Sequence, residues 1–198
     1  MTPDTNVLFG TGGYNVFEAG LASNGAGNLV NTLNSSDRIT GGTGVNTINV
    51  TLLADGNTVT PLSLANIQNI NIQNQGSVNG TTLSLANAGQ VTNINIQGTG
   101  ASQVVNNIAS ASTQFGISNT TAGVTFDVVG SATTGSSDNA FLIAKGVNMA
   151  GGANGSLVIN NAFETLTVNS VAYSASNTTN TLATDYSGDI ILMDAGLY

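Results

Sequence analysis

Apolar and polar residues alternate along most of this chain, in short runs. Thr47-Ile48-Asn49-Val50-Thr51-Leu52 sets Ile48, Val50 and Leu52 on one side of an extended backbone. The same two-residue period sets Ile70 with Ile72, Leu83 with Leu85, Ile94 with Ile96, and Val124 with Phe126 and Val128. It continues through Phe141 with Ile143, Leu157 with Ile159, Leu166 with Val168, and Ile190 with Leu192. Gly, Asn and Ser cluster between the runs, as turns require. No helical period of apolar positions lasts beyond a couple of turns. Residues 14–34 come closest, and Gly20, Gly25 and Gly27 interrupt them. The pattern predicts an all-β protein.

Repetition narrows the kind of β fold. Ile67-Gln68-Asn69-Ile70-Asn71-Ile72-Gln73 returns as Val91-Thr92-Asn93-Ile94-Asn95-Ile96-Gln97, about 24 residues on. A third copy of the apolar template, Phe163-Glu164-Thr165-Leu166-Thr167-Val168-Asn169, stands about three such periods beyond the second. Short strands recurring at this interval predict a parallel β-solenoid whose coils stack strand on strand. In-register Asn and Thr would then form side-chain ladders, which explains Asn in strands, where it is usually depleted. A β-sandwich of antiparallel strands is the alternative.

Composition restricts the chemistry. The chain has 198 residues, enough for one sizeable domain, and 40% of them are hydrophobic, so it can fold around a core. Only 6% are charged, against about 25% in ordinary domains. Ten acids face two bases, Arg38 and Lys145, for a net charge of −8. Nucleic acid and anionic membrane surfaces are therefore not expected partners. No apolar run approaches the roughly 18 residues of a membrane helix, and MTPDTNVLFG lacks the pattern of a Sec-type leader. With no Cys, His or Trp, disulfides, thiolate metal sites, His-based triads and Trp sugar platforms are all ruled out. No local pair of carboxylates suggests glycoside hydrolysis. The expectation is that the protein is not an enzyme.

Two Gly-rich segments carry a family likeness. Leu8-Phe9-Gly10-Thr11-Gly12-Gly13-Tyr14-Asn15-Val16-Phe17 and Asp37-Arg38-Ile39-Thr40-Gly41-Gly42-Thr43-Gly44-Val45-Asn46-Thr47-Ile48 resemble elements of bacterial surface-layer proteins of the RTX-like, type I-secreted kind. Leu64 to Ile72 resembles the strand that closes such a unit. The resemblance implies a single β-rich domain over 1–198, with 1–55 an RTX-like entry segment and 56–198 the stacked body. It also implies calcium, held by Asp37, Gly41, Gly42, Gly44 and Asn46, with Asn15 in the matching place of the first segment. The family's aspartates are asparagines here, at 15 and 46, and a neutral ligand weakens a hard-cation site. An ordinary Gly turn leading into Thr47–Leu52 is the other reading. Asp185 and Asp189 form a second candidate turn, and Asp55, Asp127 and Asp138 read as turn or solvent-facing residues.

These features point to an extracellular, cell-surface structural protein that assembles with copies of itself into a surface layer or filament, stabilised by calcium. The alternative is an adhesin or fibre module that grips a surface glycan. A third possibility is a filament subunit that donates a strand, residues 1–9 or Gly188–Leu192, to its neighbour. Arg38 is expected to pair with Asp37 or with a neighbouring subunit.

Overall fold

The structure is a computed structural model that describes residues 1–53, 55–75, 79–98, 101–110, 112–120, 122–134, 138–145, 157–160, 163, 165–171 and 190–193. The chain winds in coils, and each coil lays its strands on those of the coil before. The first holds β1 (Val7–Phe9), β2 (Val16–Ala19) and a hairpin of β3 (Leu21–Ser23) and β4 (Leu29–Asn31). The second holds β5 (Arg38–Thr40), β6 (Thr47–Leu53) and β7 (Thr58–Val59), and the third β8 (Ser63–Ala65), β9 (Asn69–Gln75) and β10 (Thr81–Ser84). Later coils hold β11 (Asn93–Gln97) and β12 (Gln103–Ile108), then β13 (Gln114–Ser118) and β14 (Val124–Val128). They end with β15 (Asn139–Lys145), β16 (Leu157–Asn160), β17 (Thr165–Val171) and β18 (Ile190–Met193).

Stacking yields a seven-stranded sheet, β17-β15-β13-β11-β9-β6-β2, and a six-stranded sheet, β18-β16-β14-β12-β10-β7. A three-stranded sheet, β1-β5-β8, forms a further wall of the first coils. Apart from the β3–β4 hairpin, each strand pairing among the described residues is parallel. This is a β-solenoid, and the antiparallel sandwich is excluded.

The interior follows from register. Ile48, Ile70, Ile94, Phe115 and Leu142 form one inward row of the long sheet, each fully buried. Facing them across the coil are Val59, Leu83, Val105, Phe126 and Ile159. Phe115 and Phe126 link the two walls with ring centroids 4.6 Å apart, and Phe163 adds an edge contact to Phe115 at 6.5 Å. The buried cluster extends from Ala19 to Ile159, so sheet and core continue across residue 55.

As expected, residues 14–34 hold no helix; they supply β2 and the β3–β4 hairpin. Two sequence expectations change in detail. In β15 the inward residues are Ala140, Leu142 and Ala144, while Phe141 is 37% exposed. Every residue from Ala140 to Ala144 is apolar, so the two-residue period has no preferred face; pairing of Leu142 with the inward Phe115 makes the choice. The third repeat copy does lie in the same sheet as the first two, with β13 and β15 between. However, Val168 is level with Ile94 through Phe115 and Leu142, not with Ile96, because the coils differ in length.

Candidate functional site

The two Gly-rich segments are the corners that join the short sheet to the long one. Gly10–Asn15 connects β1 to β2, and Gly41–Asn46 connects β5 to β6 directly beneath it. Backbone bonds lock the stack: Gly10 N–H donates to Thr40 O, Gly44 N–H to Gly13 O, and Thr47 N–H to Asn15 O. The close fit explains the glycines. A Cβ on Gly41 would overlap the Asn66 carbonyl oxygen, and one on Gly42 would overlap that of Thr11.

Asn46 is the hub of this corner and is fully buried. Its Oδ1 accepts from Asn15 N–H (3.1 Å), Asn15 Nδ2 (2.8 Å) and Gly42 N–H (3.2 Å). Its Nδ2 donates to the carbonyls of Gly44 (2.8 Å), Asn66 (2.8 Å) and Gly42 (3.0 Å). Turning the amide over would set an oxygen against three carbonyl oxygens, so the network determines its orientation. Asn15 repeats the motif one coil earlier, donating to Thr11 O and Gly13 O. In the third coil Asn66 turns the corner at φ 57° and donates to Gly42 O, and Gln68 accepts the Asn46 N–H.

Asp37 occupies a different corner. It too is fully buried, and its Oδ1 accepts from Asn6 N–H (2.6 Å) and Asn6 Nδ2 (3.1 Å) while Oδ2 accepts from Asn34 N–H (2.8 Å). Charge-assisted bonds of this kind satisfy a carboxylate without a cation. Asn6 precedes Asp37 by 31 residues, the same spacing that stacks Asn15 on Asn46.

Calcium takes roughly six to eight oxygen ligands at about 2.3–2.6 Å. The five residues marked for it do not fit such a cage. The carbonyls of Gly42 and Gly44 already face the Asn46 amide nitrogen, and both Asp37 oxygens face N–H donors on residues that are not partners of Asn46. Among the described residues no group of three or more acidic, His or Cys side chains is placed to hold a metal. Asp185 and Asp189 lie outside the described residues. Asp55 accepts from Asn57 N–H, as a turn residue does, and Asp127 alternates with buried Phe126 and Val128 on the outer face. Arg38 is exposed in the outer row with Val7 and Ser63, so the buried Asp37 is not its partner.

The outer face of the long sheet holds the side-chain ladders. Asn95 Nδ2 donates to Asn71 Oδ1 (3.0 Å), Asn71 to Asn49 (2.8 Å), and Asn49 to the Glu18 carboxylate (2.7 Å). A parallel ladder runs from Asn93 to Asn69 to Thr47. At the far end Asn95 Oδ1 lies over Gly116, where a Cβ would collide with it. Thr51, Gln73, Gln97 and Ser118 flank the first ladder, and together they line an open polar groove of about 470 Å³. Because Asn71 both donates and accepts, Asn71→Ala is expected to cost about 1–2 kcal/mol. A melting temperature lowered by roughly 3–6 °C checks it; an unchanged one would show the ladder to be energetically idle.

Sequence reasoning anticipated the ladders but missed Asn6, Asn34, Asn66 and Gln68. The shared 31-residue spacing of Asn6–Asp37 and Asn15–Asn46 was the available signal. No family model, no curated protein and no solved structure matches the chain.

Proposed function

We propose that this chain is a non-catalytic structural subunit that assembles with copies of itself at the cell surface, as a layer or an extracellular filament. The observation that carries the reading is the first coil. Among the described residues β1 and β2 each have a single strand neighbour there, and Val7, Phe9, Tyr14 and Val16 are exposed beside them. A strand edge with free N–H and C=O groups templates pairing with another chain, and the neighbouring apolar side chains add area to bury. One edge acceptor is already used, since the Met1 ammonium donates to Glu18 O. The amide-covered outer face supports the same reading, because apart from the Glu18 carboxylate at one end its ladders are neutral and meet with little charge to desolvate. Donation of residues 1–9 as a strand is the less economical route, as Val7–Phe9 already pairs with Arg38–Thr40 in its own chain.

Purified protein is expected to form ordered sheets or fibres by electron microscopy, and Phe9→Lys with Val16→Lys is expected to leave a monomer with unchanged circular dichroism. Wild-type protein that stays monomeric at every concentration overturns the reading. Calcium has no place at the corners in this proposal; any part it plays falls to acidic turns bridging subunits, and particle size in EDTA reads that directly. The glycan-binding alternative is favoured by one observation, the groove lined by Glu18, Asn49, Asn71, Gln73, Asn95 and Gln97. Glycan-array binding by a persistent monomer would select it.

A further inference from the structure

We propose that the Gly-rich corner is held by a side-chain amide in the place where a divalent cation would otherwise bind, and that Asn46 alone decides between the two. Three carbonyl oxygens, from Gly42, Gly44 and Asn66, converge on one nitrogen at 2.8–3.0 Å. Three acceptors around one point are what a hard cation seeks. The Asn46 NH2 brings only two hydrogens to the three, and Asn66 Nδ2 supplies a further one to the Gly42 carbonyl. The site is also rigid: the Gly41 and Gly42 positions leave no room for a Cβ, and Asn46 is fully buried. The opposite side of the amide is equally committed, because Oδ1 receives three N–H donors.

Exchange of Asn46 for Asp keeps the oxygen that those donors need. It replaces the nitrogen by a second oxygen facing the three carbonyls, and as a carboxylate that oxygen is tolerable only with a cation bridging it to them. Asn46→Asp therefore converts a cation-independent corner into a cation-dependent one. Nothing in this depends on what the protein assembles into.

Tyr14, 83% exposed and next to Asn15 in the stacked corner, provides a local probe. Terbium bound at the corner takes excitation energy from Tyr14, and Tyr14→Phe removes that contribution. The expected result is no Tyr14-dependent terbium emission from wild type and clear emission from Asn46→Asp. In EDTA the variant is expected to melt roughly 10 °C below wild type, the effect of an unpaired buried charge, and calcium is expected to restore much of the difference. Wild-type and Asn46→Ala proteins are expected to respond to calcium alike. Tyr14-dependent emission from wild type overturns the proposal, as does a calcium-induced stabilisation of wild type that Asn46→Ala abolishes. If Asn46→Asp does not fold without metal, Asn15→Asp makes the matching change at the more accessible upper corner, where the amide nitrogen faces the Thr11 and Gly13 carbonyls and Asn46 Oδ1, and the absence of terbium emission from both variants also counts against the proposal.

Discussion

Gly42→Ala is expected to destabilise the protein by about 3 kcal/mol, at the upper end of overpacking costs, whereas Gly12→Ala stays within about 0.5 kcal/mol of wild type. Both glycines belong to the stacked corners, and both changes add one methyl group. At Gly42 that methyl would overlap the Thr11 carbonyl oxygen and crowd the Asn15 amide. The Thr11 carbonyl cannot rotate away cheaply, because the Asn15 amide donates to it. At Gly12 nothing lies within 4 Å of the added atom. Thermal melts should separate the two variants by roughly 6–12 °C. Equal melting temperatures would mean that the corners are not packed as described.

Phe115→Ala is expected to cost about 3–5 kcal/mol, the range for deleting a buried aromatic ring. Phe115 is fully buried, stands 4.6 Å from Phe126 on the facing wall, and receives the edge of Phe163. Removing it takes a ring contact between the two long sheets and leaves a cavity that stiff, doubly paired strands cannot collapse to fill. Phe115→Leu keeps most of the apolar volume and should cost roughly half as much or less. Chemical denaturation of the pair measures this. A loss below about 1 kcal/mol for the alanine variant would show that the walls are joined elsewhere.

The strands were legible because a half-buried strand writes its two faces into alternate residues. Thr47–Leu52, Asn69–Gln73 and Asn93–Gln97 all lie where the alternation places them, with Ile48, Ile70 and Ile94 inside. The 24-residue repeat was equally readable, since Asn69 does pair with Asn93 and Asn71 with Asn95. The corners were legible as positions and not as chemistry. Gly41, Gly42, Gly44 and Asn46 share one corner, yet what Asn46 does there depends on Asn66 and Asn15, some 20 and 31 residues away. Asp37, next in sequence to the β5 strand of the same unit, proved to belong to another cluster with Asn6 and Asn34.

The order of residues alone determined that this chain is extended, coiled and filled with short aliphatic rows, because side-chain alternation and turn-forming residues act over a few neighbouring positions. Only the tertiary structure decided which face of Ala140–Ala144 turns inward, how far each coil slips past the last, and which way the Asn46 amide points. Those outcomes are set by hydrogen bonds and contacts between residues some twenty or more positions apart, and they exist only once the coils have stacked.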